Sequence, residues 1–280
     1  MNHPRVSTKM LRVDKVTRLF DIFNSKKWPD ISKSENTEFG DFCDMLSYLT
    51  DDEQDLIIEL TKDFLWVSTN EYFQLFLCVF KIMVDSLDVS KKRLFILPLI
   101  AKDDIGLTKS SSMLYYMLKC ETHFLQRISE RVSISLIDGY AKLNDIKIQD
   151  SDLFCLIDDY IGTGETACDA IECLFEKGIS SDNCLILSLV SQESGIEKIK
   201  EKNVGVYTGT IRKRVFTDTL ESQTLKKIMQ NIEDRMGVNS LHRFGYGQSE
   251  ALVRMSRTPN NTFPIYWMRS KSIPIVPFPR

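Results

Sequence analysis

The segment "CLIDDYIGTGET" at residues 155–166 sets two acids at the end of an apolar run and follows them with a turn of glycine and threonine. The run over 153–157 has the length and continuity of a strand buried on both faces. Glycines at 162 and 164 let the backbone turn tightly. Helical spacing starts at Ala167, with Ala167, Ile171, Leu174 and Phe175 facing inward and Gly178 as the stop. The order is strand, acid-glycine loop, helix.

The same order recurs on either side. Upstream, "LFILPLIA" at 94–101 is a buried strand, "KDDIGLTKSSS" at 102–112 a turn and "MLYYMLKCETHFLQRI" at 113–128 a helix. Downstream, "CLILSLV" at 184–190 and the shorter "VGVYTG" at 204–209 read as strands, with a helix at 192–202 between them. Strands alternating with helices predict an α/β fold, a parallel sheet with helices on both faces. The first part of the chain lacks this alternation. There "LTDDEQDLIIELTKDFL" at 49–65 has Thr50 as an N-cap, acids in the first turn, and Leu56, Ile57, Leu60 and Phe64 at helical spacing. The expected organisation is a helical accessory region over 1–90, then the α/β domain over 91–280 with a C-terminal extension.

The 280 residues are 43% apolar and 27% charged with 12 glycines and 8 prolines, which is the composition of a globular chain. A net charge of −3 excludes a protein that coats nucleic acid over its whole surface. Two local basic patches remain. Arg5, Lys9, Arg12, Lys15 and Arg18 face only Asp14, and Arg254, Arg257, Arg269, Lys271 and Arg280 follow Glu250 without any acid. Each is either a solvated face or a phosphate-contacting surface. The N-terminus lacks the apolar core of a signal peptide and no apolar run reaches a membrane span, so a cytoplasmic protein is expected. Seven cysteines scattered through apolar segments fit buried thiols. Neither they nor His3, His123 and His242 have zinc-ligand spacing.

In an open parallel sheet, ligands bind beyond the carboxyl ends of the strands, which is where Asp158 and Asp159 fall. The amides of Ile161, Gly162, Thr163, Gly164, Glu165 and Thr166 then converge at a helix start, where an anion is favoured. The Thr163 and Thr166 hydroxyls add donors to a phosphate there. The two carboxylates would repel that phosphate, so they must face neutral hydroxyls or a metal-linked group. A sugar with hydroxyls on one side and a phosphate on the other satisfies both, which makes the segment a ribose-5-phosphate cradle.

These residues resemble the signature of the phosphoribosyltransferase family: an apolar strand, two acids, two variable residues, a threonine-rich pair, glycine, one variable residue and threonine. Here it reads Asp158, Asp159, Tyr160, Ile161, Gly162, Thr163, Gly164, Glu165 and Thr166. Tyr160 stands where an aliphatic residue is usual, and Gly162 where threonine is frequent, so one hydroxyl donor is missing. The resemblance implies a type I phosphoribosyltransferase-like fold that binds phosphoribosyl pyrophosphate or a ribose-5-phosphate nucleotide. Mg2+ would be bridged by the ligand near Asp158 and Asp159, with these acids as catalytic residues at the ribose and the loop on the 5-phosphate. The chain with its tail "FGYGQSEALV" and "RTPNNTFPIYW" is also similar to phosphoribosyltransferase-like effectors of bacterial conflict systems, some encoded beside retron reverse transcriptases. That implies a toxin for phage defence, held in an oligomer or complex with a reverse transcriptase and its nucleic acid.

Other readings stay open at this point. A transferase must also hold the leaving pyrophosphate, and the loop after 94–101 offers Lys102, Lys109, Ser110 and Ser111, although Asp103 and Asp104 oppose an anion. The same "KSSS" is equally an N-cap cluster. A P-loop over 108–111 is disfavoured because Thr108, not glycine, precedes Lys109. The same fold also serves regulators that bind a nucleotide without turning it over. Tyr246, Asn260, Asn261 and Trp267 are candidates for a base or protein contact, or simply a packed tail.

Overall fold

The structure, a computed structural model, describes residues 10–28, 38–104, 106–107, 109–129 and 131–280. Arg5, Lys9, His3 and Thr108 lie outside the described residues. The chain divides into two compact units, one of residues 1–66 and 214–280 and one of residues 67–213. This division differs from the one expected at 90/91. The last N-terminal helix groups with the sheet, and the C-terminal extension groups with the preceding helices.

The first unit begins with α1 (Val13–Ser25), α2 (Glu38–Ser47), α3 (Asp51–Lys62) and a two-residue strand, β1 (Leu65–Trp66). Thr50 caps α3 as its sequence predicts: its N–H donates to the Glu53 carboxylate at 2.8 Å, the returning half of a capping box.

The second unit opens with α4 (Thr69–Ser86) and continues through β2 (Arg93–Pro98), α5 (Ser110–Cys120), α6 (Thr122–Ile128), β3 (Ser133–Leu136), β4 (Asp152–Ile161), α7 (Glu165–Phe175), β5 (Cys184–Gln192), α8 (Glu193–Lys200) and β6 (Gly205–Arg212). Its five strands are all parallel in the order β3-β2-β4-β5-β6, so the α/β expectation is borne out. α7 covers the face that carries Phe154 and Leu156, burying Ala167, Ile171 and Leu174 as their spacing predicts. α4 packs on β5 and β6 and reaches the opposite face, where Tyr72 bonds Asp159. β3 has no counterpart among the sequence expectations, because four residues with alternating exposure are too short to stand out from a loop. The single helix expected over 113–128 is two. Thr122 Oγ1 donates to the carbonyls of Leu118 and Lys119 at 3.3 and 3.0 Å, a local bond that competes with helix continuation.

The first unit closes with α9 (Gln223–Met236) and β7 (Val253–Arg254), which pairs in parallel with β1. Its core is largely aromatic: Phe64 lies 4.8 Å from Tyr266 and 5.2 Å from Phe278, ring centre to ring centre. Arg235 on α9 grips Glu53 on α3 through two bonds of 2.8 Å. Just after α9, the backbone enters left-handed space at Phe244 (φ 57°), Gln248 (φ 55°) and Glu250 (φ 47°). Two buried carboxylates hold this loop. Both oxygens of Glu233 accept from the Phe244 N–H, at 3.1 and 3.0 Å, and Glu250 accepts from the Phe216 and Thr217 N–H groups and from Lys226. Burial pushes the Glu233 carboxyl up to about 7, against the Phe244 N–H and Arg243, with Asp234 and Glu250 adding to the rise.

A raised carboxyl means that the folded chain binds the proton more tightly than the unfolded one. The contribution of Glu233 is therefore full below about pH 4.5 and is lost as pH rises toward 7. Glu233→Gln should remove this slope. In denaturant melts the variant's stability relative to wild type should improve between pH 5 and 8 by on the order of 2 kcal/mol, and a pH-independent difference would show that Glu233 carries no such linkage.

Candidate active site

The site begins with unequal strand ends. β2 stops at Pro98, opposite Ile157, and its ladder with β4 closes with the Leu99 N–H on the Ile157 carbonyl at 2.9 Å. β4 runs on, paired with β5 alone, through Asp158↔Ser188, Tyr160↔Val190 and Ile161↔Ser191. The acids expected just beyond a strand ending at 157 are thus inside the strand, because β5 extends to Gln192 and supplies backbone partners for them. Chain connections also diverge here, β2 leading outward to β3 and β4 to β5. A crevice at the carboxyl ends of two strands whose connections diverge is where open α/β sheets bind ligands.

Asp158 and Asp159 are adjacent on β4 with their side chains in hydrogen-bond contact, and each has a different further partner. Asp159 is 2% exposed, and its Oδ2 accepts from Tyr72 Oη at 2.8 Å. Asp158 is half-buried. Its Oδ1 accepts from the Asp159 N–H at 2.8 Å and from Ser110 Oγ at 3.2 Å. Burial and then the adjacent Asp159 charge push the Asp158 carboxyl well above the usual carboxylate range, and the two donors only partly oppose this. Tyr160 is buried at its hydroxyl, which has no hydrogen-bond partner among the described residues.

After Ile161 the backbone turns. Among the described residues the N–H groups of Gly162, Thr163 and Gly164 donate to no backbone carbonyl. Gly164 is the N-cap of α7 at φ 80°, and its carbonyl accepts from Cys168 at 2.9 Å, so the amides of the first helical turn also lack helical partners. The loop is held by a residue that sequence reasoning missed. A Cβ on Gly195, in the first turn of α8, would sit 2.2 Å from the Gly162 carbonyl oxygen, and one on Gly164 would sit 2.8 Å from the Gly195 oxygen. Backbone meets backbone because neither position has a side chain. The available signal was a glycine inside a helical pattern, which asks for a packing reason.

The second candidate loop divides. Ser110 joins the site through Asp158, whereas Lys102 pairs with Glu176 at 2.8 Å and Lys109 with Asp104 at 2.8 Å. Ser111 is buried, with its hydroxyl unpartnered among the described residues. Tyr246, Asn260, Asn261 and Trp267 belong to the other unit, where they bond to one another and to their neighbours. The Tyr246 N–H donates to the Asn260 carbonyl at 2.8 Å, Asn261 Nδ2 to Ser249 Oγ at 2.8 Å, and Trp267 Nε1 to the Thr262 carbonyl at 2.7 Å. Several residues of the basic patches are likewise engaged. Lys15 pairs with Asp55 at 2.6 Å, Arg18 pairs with Asp55, Arg12 pairs with Asp14, and Arg254 lies over the Trp66 and Phe278 rings while pairing with Glu38.

No group of three or more histidine, cysteine or carboxylate side chains that could hold a metal occurs among the described residues. No helix among them is long and apolar enough to cross a membrane.

A strand with two acids near its end, an amide-lined loop and a helix start at the sheet's carboxyl edge match the order of the 155–166 signature. The family model named PRTase-CE matches residues 46–278. The chain belongs to the PRTase-CE family. The phosphoribosyltransferase resemblance is thereby borne out. The PRTase-CE match spans residues of both units, so the family includes the aromatic helical unit and is not confined to the sheet. No curated protein matches the chain significantly. Among solved structures, the chain is similar to an APRTase from Giardia lamblia complexed with 9-deazaadenine, at 16% identity and a TM-score of 0.34, covering 49% of this chain and 79% of that one. It is also similar to a Helicobacter pylori xanthine-guanine-hypoxanthine phosphoribosyltransferase, at 15% identity and a TM-score of 0.30, covering 58% and 97%. A third is an HGPRT-ase from Leishmania tarentolae in complex with GMP, at 14% identity and a TM-score of 0.29, covering 52% and 79%. TM-scores this low leave the family assignment resting on the family model.

Two outcomes follow from the geometry. Gly195→Ala should destabilise the chain by roughly 1–3 kcal/mol in denaturant melts, because the added methyl overlaps backbone that cannot swing aside; a neutral result would show the loop to be free to move. Asp158→Asn should raise the thermal midpoint above pH 6 by on the order of 2 °C while changing little near pH 4. The sign follows from a folded carboxyl that holds its proton too tightly, so that stability is lost as pH rises past 3.8.

Proposed function

We propose that the PRTase-CE site binds phosphoribosyl pyrophosphate or a ribose-5-phosphate nucleotide, with the 5-phosphate on the loop from Ile161 to Thr166 and the ribose hydroxyls at Asp158 and Asp159. The observation that carries this reading is the run of backbone N–H groups at Gly162, Thr163 and Gly164 without carbonyl acceptors, directly before the start of α7. An anion at a helix N-terminus satisfies such donors. Sugar hydroxyls in turn satisfy carboxylate oxygens that a phosphate would not approach.

In a transfer reaction the departure of pyrophosphate leaves positive charge on the ribose ring. Asp158 and Asp159 would stabilise that charge by position alone, without moving a proton. A cationic ring beside Asp158 also favours the ionised form of a carboxyl that burial otherwise holds toward its proton. Two carboxylates, one of them already bonded to Tyr72, are too few to hold a resident metal, but they fit a magnesium ion that arrives with the ligand. When bound, that ion would neutralise pyrophosphate charge. The effector reading, a toxin for antiviral defence acting on nucleotide metabolism in the cytoplasm and held by a reverse transcriptase and its nucleic acid, rests on the resemblance of the chain and its tail to conflict-system proteins.

One observation favours a second reading. The cations expected to meet the pyrophosphate, Lys102 and Lys109, are paired with Glu176 and Asp104. That suits a regulatory module that binds a phosphosugar without turning it over. Calorimetry with phosphoribosyl pyrophosphate and ribose-5-phosphate, with and without magnesium, tests the binding. Wild type should bind, and Gly164→Val should lose affinity by at least about tenfold, since a side chain there meets the Gly195 carbonyl in a left-handed conformation. Equal affinity in a folded Gly164→Val chain would remove the site. Expression in cells separates the two readings: an enzyme predicts a change in nucleotide or phosphoribosyl pools that the Asp158→Asn, Asp159→Asn double variant abolishes, and a module predicts none.

A further inference from the structure

Tyr72 lies in the first turns of α4, 87 residues before Asp159, and is wholly buried. Its ring belongs to the packing of the sheet unit, but its hydroxyl has a separate task. A carboxylate as buried as Asp159 needs a donor, and Tyr72 Oη supplies one to Oδ2 at 2.8 Å. Asp159 is in turn joined to Asp158, whose Oδ1 accepts from the Asp159 N–H and from Ser110. Each acid thus has one oxygen occupied by donors of the protein. The two acid side chains also hydrogen-bond to each other.

We propose that Tyr72 is a positioning residue of the ribose-phosphate site: its hydroxyl fixes the rotamer of Asp159 and, through the contact between the two acid side chains, the direction in which Asp158 faces the ribose. This rests on the reading of the site given above. It assigns to an N-terminal helix, outside the motif, a role in ligand affinity that packing alone does not require. Tyr72→Phe removes the hydroxyl and keeps the ring, so packing and orientation become separable.

The test is calorimetric titration of ribose-5-phosphate, at fixed magnesium, into wild type, Tyr72→Phe, Asp159→Asn and the double variant. Tyr72→Phe should bind at least about tenfold more weakly than wild type, the low end for a hydrogen bond to a charged group. In the Asp159→Asn background the same change should have little further effect, since the group it orients is altered. Phe76→Leu, a buried change on the same helix, should lower the melting temperature and leave affinity unchanged. If Tyr72→Phe does not fold, a fluorinated tyrosine at 72, which keeps and strengthens the donor, should hold affinity at or above the wild-type value. Wild-type affinity in Tyr72→Phe, equal weakening by Tyr72→Phe in both backgrounds, equal weakening by Phe76→Leu, or loss of affinity with the fluorinated residue would each overturn the positioning role. Absence of any ribose-5-phosphate binding by wild type would instead overturn the reading of the site itself.

Discussion

The pairing of β4 with β5 beyond the end of β2 is the constraint on which the site depends. Were β4 to end level with Pro98, Asp158 and Asp159 would stand on an unpaired loop with their backbone open to solvent. The continued ladder to Ile161 holds the two carboxylates side by side, Asp159 against Tyr72 of α4 and Asp158 against Ser110 at the start of α5. It also fixes where the chain can turn. The turn falls at Gly162, against Gly195 at the start of α8, and the absence of side chains on both lets backbone approach backbone.

Electrostatics at this edge are arranged against the charged state of Asp158. Burial and a neighbouring acid raise its carboxyl, and only Ser110 and one backbone N–H oppose the shift. A folded protein tolerates such a cost where a ligand offsets it, and groups perturbed in this way concentrate at functional sites. The contrast with Asp152 is instructive. That carboxylate is wholly buried at the far end of the same strand, yet two bonds of 2.7 Å from Arg93 satisfy it, and its role is structural.

The helical unit has its own internal logic. Its core is built from rings, with Phe42, Phe64, Tyr266 and Phe278 in mutual contact. Buried carboxylates serve as scaffolding within it: Glu53 joins two helices through Arg235, and Glu233 and Glu250 hold a backbone loop that takes left-handed conformations at three residues other than glycine. Arg12, Lys15, Arg18 and Arg254, which look like a nucleic-acid surface when counted along the chain, are here partners of Asp14, Asp51, Asp55 and Glu38.

Local pattern alone determined a good deal of this protein. The strands at 94–101, 153–157, 184–190 and 204–209, the helix from Ala167 and the cap at Thr50 were legible because apolar continuity, helical spacing and capping chemistry operate over a few neighbouring residues. The motif from Asp158 to Thr166 was legible for the same reason, since a strand end, a turn and a helix start are contiguous in sequence. Tertiary structure decided what depends on distant partners. β4 is longer than its apolar run because β5 is there to pair with it, Gly195 matters because of where Gly162 lies, and Lys102 and Lys109 are engaged because Glu176 and Asp104 lie within reach. Tyr72 meets Asp159 across 87 residues of chain. No local signal encodes that contact, because a buried tyrosine at helical spacing looks the same in sequence whether its hydroxyl finds a carboxylate or nothing.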